Sequence, residues 1–338
     1  MIKKECMFYK KLNNNIVQCE VCPRKCIINE GKRGVCKGRE NINGTLYAIN
    51  YGKVCSMAID PIEKKPLFHF HPNSPVFSIA TGGCNFKCLH CQNWQISQSA
   101  PDELPYNEAY PEDIIKLALN YECKGIAYTY TEPTIFYELM YDTAKLGRTY
   151  DLYNVMITNG YIEKEPLKIL PIDGMNIDIK GNDRFYKEIC KAEIQPVLET
   201  AILSKKLGIH VEITNLIVPT YNDDRDTLLF IIDFVKDYLG RDTPLHFTAF
   251  HPAYKLTNIP PTPLETLIFA RNLAIEEGLK YVYVGNVLGY EEGENTYCPN
   301  CGTLLIERFG FTVSKIYLNK VGNIVKCPNC GEKINIIM

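Results

Sequence analysis

The 338-residue sequence carries almost no net charge, with 37 Lys and Arg set against 39 Asp and Glu for a formal net charge of -2. That balance gives no global electrostatic reason to expect nucleic acid or an anionic membrane as a partner. No segment has the ~18 uninterrupted apolar residues that a membrane-crossing helix needs. The start, Met1-Ile-Lys-Lys-Glu-Cys6, lacks the apolar stretch of a secretory signal, so the expected location is cytoplasmic. There is no low-complexity segment and no solenoid repeat. The only internal echo is Cys-Pro-Asn-Cys-Gly, at 298–302 and again at 327–331. Hydrophobic content of 46% and charged content of 22% are those of a soluble globular protein. The length suits one enzyme-sized domain with small additions, or two modest domains.

What the sequence has in excess is cysteine, 15 in all. Disulfide-stapled scaffolds are usually short and exported, and in a reducing cytosol clustered cysteines are more often metal ligands. Three tight groups hold most of them: Cys19, Cys22, Cys26 and Cys36; Cys84, Cys88 and Cys91; and Cys298, Cys301, Cys327 and Cys330. Cys6, Cys55, Cys123 and Cys190 stand alone and read as small buried apolar residues.

Three regions follow from the texture of the chain. Residues 1–73 are turn-rich and cysteine-bearing, and their thin apolar content suits a metal staple. Residues 74–290 alternate strand-like runs with segments of helical period. The strand-like runs are Val76–Thr81, Gly125–Tyr130, Tyr153–Thr158, Gly174–Ile179, His210–Val218 and Leu245–Phe250. Helical period appears over Pro111–Asn120, Thr134–Leu146, Leu198–Leu207, Thr227–Tyr238 and Pro263–Glu277. Such alternation predicts βα units around a parallel sheet, an α/β layered fold or a full or partial barrel of about six units. Residues 291–338 return to short strands and turns around paired cysteines.

The central triplet, Cys84-Asn-Phe-Lys-Cys88-Leu-His-Cys91, follows the first predicted strand and falls in the first βα loop. In a parallel barrel, loops at the C-terminal ends of the strands build the active site. Three closely spaced thiolates suit a cubane, since each can bind a different iron and one iron is left open. Zinc takes four protein ligands, or three and a water, more often with His or carboxylate involvement. His90 is set aside as a fourth ligand because its neighbour Cys91 is already committed.

Cys-x3-Cys-x2-Cys in this context resembles the signature of the radical S-adenosylmethionine (SAM) superfamily, with His90 where an aromatic residue usually precedes the last cysteine. Further segments resemble the AmmeMemoRadiSam system radical SAM proteins, relatives of the pyruvate formate-lyase activating enzymes. These are Asp60-Pro-Ile-Glu-Lys-Lys-Pro-Leu-Phe-His-Phe70, Cys91-Gln-Asn-Trp-Gln-Ile-Ser97, Tyr128-Thr-Tyr-Thr-Glu-Pro-Thr134, Thr158-Asn-Gly160 and Tyr281-Val-Tyr-Val-Gly-Asn286. The likeness spans essentially the whole chain.

That resemblance implies a partial (β/α)6 TIM-type barrel with a Cys-rich N-terminal subdomain and a zinc-ribbon-like C-terminal one. It implies a 4Fe-4S cluster on Cys84, Cys88 and Cys91, with SAM chelating the open iron. Thr131-Glu132-Pro133 occupies the position of the superfamily's Gly-Gly-Glu motif, so Glu132 is expected to contact the SAM ammonium. Asn159 is expected to reach the ribose or the amino acid moiety, Lys180 to pair with the SAM carboxylate, and Asp178 to face the same cavity. The implied reaction is one-electron cleavage of SAM to methionine and a 5′-deoxyadenosyl radical, which takes hydrogen from a substrate carbon. No side-chain acid or base is demanded. His251 and Lys255, in a segment resembling one that faces substrate in the activating enzymes, are candidates for substrate contact. Implied partners are an electron donor such as ferredoxin or flavodoxin, and Memo-like and AMMECR1-like proteins. A protein or peptide substrate is within the implied range.

Two Cys-Pro-Asn-Cys-Gly knuckles can face each other and offer four thiolates in a tetrahedron. This is most often structural zinc, and rubredoxin-like iron uses the same knuckles. For Cys19, Cys22, Cys26 and Cys36 zinc is favoured, with an auxiliary iron–sulfur cluster as the rival. Two other functions stand beside the main reading. One is a glycyl radical enzyme activase, and the other a non-enzymatic electron-transfer or metal-sensing protein that would release no 5′-deoxyadenosine from SAM.

Overall fold

The computed structural model describes residues 3–287, 289–322 and 324–338. Its centre is one eight-stranded sheet whose strands follow each other in sequence order: β1 (Ser56–Pro61), β2 (Pro75–Ala80), β3 (Gly125–Tyr128), β4 (Tyr153–Thr158), β5 (Gly174–Asp178), β6 (His210–Ile217), β7 (Leu245–Ala249) and β8 (Val282–Gly285). From β2 to β8 every pair is parallel, whereas β1 runs antiparallel along β2. β1 and β8 are not paired with each other, so among the described residues the barrel stays open.

The six expected strands are all present. Two more flank them: a four-residue strand after the last helix, and β1, contributed by the Cys-rich first region.

Helices α1 (Pro111–Asn120), α2 (Tyr137–Arg148), α3 (Lys164–Ile169), α4 (Gln195–Lys206), α5 (Arg225–Phe234) and α6 (Leu264–Glu276) fill the connections. Local chemistry sets their starts. Pro111 opens α1 with a φ already suited to a helix, and Asp113 Oδ2 accepts from the Tyr110 N–H at 3.0 Å. Asp224 caps α5 by accepting from the Thr227 amide at 2.9 Å and its hydroxyl at 2.8 Å. No helix among the described residues is long and apolar enough to cross a membrane.

The segment from Ile62 to Phe70, between β1 and β2, threads the lower part of the barrel. The Pro66 carbonyl accepts from Asn176 of β5 at 2.8 Å. The backbone amides of Phe68 and His69 donate to the Glu212 carboxylate of β6 at 3.0 and 2.7 Å. Glu212 is fully buried, and His210 and His246 complete its shell at 2.9 and 2.7 Å. Burial alone would oppose ionisation, but those bonds outweigh it and hold the carboxyl below the usual carboxylate range.

The N-terminal region forms two three-stranded sheets. Its buried Val17, Cys19 and Leu46 belong to the same hydrophobic cluster as Ile135, Phe136 and Tyr137 of the barrel. A buried ion pair, Arg39 to Glu138 of α2 at 2.8 Å, ties the two together. The C-terminal hairpins keep a separate small core of Leu305, Ile306, Val325 and Ile334, which includes Phe68 of the threaded segment. Arg308 donates to the Phe68 carbonyl at 2.9 Å and to Thr296 Oγ1 at 2.7 Å, latching this region beneath the sheet.

Candidate active site and metal centres

The loop after β2 carries the cysteine triplet. Gly83 has a φ of +101°, and a Cβ there would fall 2.2 Å from the Cys36 carbonyl oxygen, so only glycine allows the loop to lie so close to the N-terminal region. Further along, the amides of Lys87 and Leu89 donate to the carbonyls of Cys190 and Ile189 at 3.1 and 3.0 Å. Held at both sides, the loop presents Cys84, Cys88 and Cys91 to one cavity of about 290 Å³ at the C-terminal ends of the strands.

Donors are already aimed at the sulfurs. The Phe86 amide lies 3.4 Å from Cys84 Sγ, Asn159 Nδ2 3.9 Å from the same atom, and Ser97 Oγ 3.2 Å from Cys91 Sγ. Such contacts orient metal-ligating thiolates and tune the metal they hold. Burial, then the Glu132 carboxylate and Cys88, push the Cys84 thiol up. A hydrogen bond with the Cys190 thiol, then burial, does the same to Cys88. Deprotonation of these thiols therefore has to be driven by a bound cation, which is how cysteine metal sites couple protons to metal.

The remaining expected residues fall in two groups. Thr131, Asn159, Asp178 and Lys180 all line the cavity. Lys180 Nζ pairs with Asp178 Oδ2 at 2.6 Å. Burial works against its charge, but the Asp178 carboxylate, through charge and hydrogen bond, outweighs it, so Lys180 is held above its ordinary range.

Glu132 is placed differently. Its carboxylate is turned into the wall, where Oε1 accepts from the Thr134 amide, the Thr134 hydroxyl and the Thr158 hydroxyl at 3.0, 2.6 and 2.8 Å. Oε2 accepts from the Asn159 amide at 2.8 Å. Glu132 does not line the cavity; it fixes the turn after β3 and holds Asn159 at the end of β4.

His251 and Lys255 are not brought into the cavity either. His251 is exposed with Nε2 3.2 Å from the Asn286 carbonyl, and the Lys255 amide donates to the Leu89 carbonyl at 3.0 Å. Their segment packs on the triplet loop, where Tyr254 stacks on Trp94 with ring centroids 5.4 Å apart.

The sequence left several wall residues without a role. Tyr130 has a φ of +70°, a region that a non-glycine residue enters at a cost of roughly 1–2 kcal/mol. Its hydroxyl donates to Asp60 Oδ2 at 2.6 Å, and Lys65 Nζ reaches the same carboxylate oxygen at 2.7 Å, which anchors the residue in that conformation. Burial pushes Lys65 down to about 8 even with Asp60 beside it. Lys64 and Lys65 form part of the cavity lining. The Lys-Lys pair was legible only as part of a family resemblance. Cys190 carried no signal at all, standing far from any other cysteine.

Two buried wall atoms, Thr214 Oγ1 and His90 Nδ1, have no hydrogen-bond partner among the described residues. Orphaned polar atoms in a cavity wall call for a polar ligand. His90 is pushed down to about 3 by burial and by Lys180, so it meets such a ligand as a neutral ring.

The three cysteine groups differ in spacing. Cys298, Cys301, Cys327 and Cys330 have sulfurs all within 4.8 Å of one another, with 3.6 Å from Cys298 to Cys330 and 3.7 Å from Cys301 to Cys327. A tetrahedron with metal–sulfur bonds of ~2.3 Å has edges of ~3.8 Å, so this set fits one ion. Gly302 and Gly331, at φ of +72° and +75°, close the two knuckles. Hydrogen bonds from Thr303 hold Cys301 down to about 5, while burial pushes Cys298 up to about 12. Neither the central triplet nor the N-terminal set meets this single-ion spacing. Wider separation suits a cubane, in which each thiolate binds a different iron.

An open parallel sheet with a three-cysteine loop at its first strand end, above a polar cavity, is the mixed α/β radical SAM fold. The radical SAM superfamily model matches residues 78–234. The chain belongs to that superfamily. It is 67% identical over 335 residues to an uncharacterized protein of Methanocaldococcus jannaschii, covering 99% of this chain and 100% of that one. The pyruvate formate-lyase 1-activating enzyme of Escherichia coli is 22% identical over 223 residues, covering 60% of this chain and 89% of the enzyme. The GTP 3′,8-cyclase of Helicobacter pylori is 26% identical over 165 residues, covering 46% of this chain and 50% of the cyclase.

Proposed function

We propose that this protein is a radical SAM enzyme that binds a 4Fe-4S cluster on Cys84, Cys88 and Cys91 and SAM in the cavity beside it. One observation carries the reading: three cysteine sulfurs and the strand-end groups Thr131, Asn159, Asp178 and Lys180 converge on a single cavity. Cys84, Cys88 and Cys91 would hold the cluster, which with SAM in the cavity would supply the one-electron chemistry for taking hydrogen from a substrate carbon. The chain's own contribution is position and charge. Lys180, kept cationic by Asp178, meets a carboxylate in the cavity. Asn159, its backbone held by Glu132, lines that space while its side-chain amide donates to Asn85 Oδ1 at 2.8 Å and lies 3.9 Å from Cys84 Sγ. The neutral His90 ring and the Thr214 hydroxyl supply unpaired polar atoms.

The finer assignment is to the AmmeMemoRadiSam system. It rests on Asp60–Phe70, whose Lys64 and Lys65 help wall the cavity. An electron donor of the ferredoxin or flavodoxin class, and Memo-like and AMMECR1-like proteins, are the partners of that assignment, and co-purification from the source cell tests it. At the C-terminus Cys298, Cys301, Cys327 and Cys330 hold zinc as a structural ion. The deciding experiment mixes reconstituted, reduced protein with SAM under strict anaerobiosis. Wild type is expected to yield 5′-deoxyadenosine and Cys88→Ala none; absence of the product from wild type would overturn the reading.

A further inference from the structure

The N-terminal cysteines stand apart from this chemistry yet touch its loop. Two tight turns gather them. Lys25, at a φ of +42°, bends the chain between Cys22 and Cys26, and the Lys25 amide donates to the Cys22 carbonyl at 3.1 Å. Lys37, at +63°, does the same after Cys36, with its amide on the Gly34 carbonyl at 2.9 Å. The Cys19 amide donates to the Cys26 carbonyl at 3.0 Å, which closes the hairpin. All four side chains line one pocket together with Arg39 and Asn85. Arg39 is 1% exposed, and its Nε has no partner among the described residues.

Two features of this pocket decide what it suits. Its four sulfurs do not gather at the spacing of a single tetrahedral ion, in contrast to the C-terminal set. It also lies directly behind the triplet loop. Asn85 lines this pocket while its neighbour Cys84 lines the active-site cavity. Arg24 donates to the Asn85 carbonyl at 2.9 Å, and Gly83 rests on the Cys36 carbonyl. The Lys87 ammonium lies close enough to interact with both Cys36 and Cys84.

We propose that Cys19, Cys22, Cys26 and Cys36 hold a second iron–sulfur cubane, fully ligated by cysteine and packed against the back of the loop that carries Cys84. Four ligands leave no iron open, so this cluster takes no substrate; its chemistry is electron transfer. It accepts one electron from an external low-potential one-electron donor and passes that electron to the active-site centre, returning to its oxidised state. No bond is made or broken and no proton moves. The Arg39 guanidinium is paired with Glu138, and its free Nε–H is left to donate to the thiolates in this pocket.

The test does not depend on SAM cleavage. Full-length protein is reconstituted anaerobically with iron and sulfide as wild type, as Cys84→Ala/Cys88→Ala/Cys91→Ala, and as Cys22→Ala/Cys26→Ala. Iron and sulfide are counted, and the reduced forms are examined by electron paramagnetic resonance with and without SAM. The triple variant is expected to keep about four irons and a cubane signal that SAM does not alter. Cys22→Ala/Cys26→Ala is expected to lose that signal, keep the SAM-sensitive one, and be reduced several-fold more slowly by a ferredoxin. A triple variant that holds one zinc and no cubane overturns the proposal, and an unchanged reduction rate overturns the relay. Should either variant fail to fold, Mössbauer spectra of wild type decide: two cubanes support the site, and one excludes it.

Discussion

Glu132 shows how the neighbours of a residue can lie beyond the reach of its motif. Its place after the third strand marked it for a cofactor, yet four hydrogen bonds draw its carboxylate into the wall. The sequence could not reveal this, because two of the donors come from Thr158 and Asn159, 26 and 27 positions away. Glu132→Gln leaves a buried donor where acceptors are needed, so folding stability should fall by about 1–3 kcal/mol in urea titrations. Lys180 is the contrasting case, a cavity cation close to its paired carboxylate. Lys180→Met should weaken SAM binding to the reconstituted protein by roughly ten- to hundredfold, the value of a lost charge-assisted bond. Isothermal titration would read it, and an unchanged affinity would remove Lys180 from the cofactor's contacts.

At the scale of elements, the cysteine groups and six of the strands were legible because both follow local rules of spacing and period. β8 was not read as a strand because four residues carry no measurable alternation. β1 was missed because only Asp60 of its six residues is buried, so it shows no apolar face. Nor could the sequence show that α2 carries the clamp on the N-terminal region. Glu138 sits under the Arg39 guanidinium at 3.1 and 2.8 Å and also accepts from the Met7 amide at 3.0 Å. Removing one member of a buried pair strands the other, so Glu138→Ala should cost about 3–5 kcal/mol. Denaturant unfolding would measure it, and a loss under about 1 kcal/mol would show that the pair is not what joins these regions.

For the molecule as a whole, the terminal regions act from opposite sides of one barrel. Cys301→Ser or Cys330→Ser should release the C-terminal ion to a chelator and loosen the hairpins while the sheet's circular dichroism persists. Acid should act on the threaded segment. His69 is pushed down to about 4, chiefly by burial, from an ordinary value of 6.5. Between those values the unfolded chain binds a proton that the folded chain refuses, so stability falls as pH drops from about 6.5 to 4. Each such group adds up to about 1.4 kcal/mol per pH unit, and since His90 is pushed down as well, His69→Gln should lower the slope without removing it.

The threaded segment has a further consequence for traffic. Pro66 and Phe68 are pinned to the strands by Asn176 and Glu212, and Lys64 and Lys65 of the same segment line the cavity, so the segment floors the site. A floored cavity fills from the bottom. Whatever seats itself on that floor is covered by what binds above it.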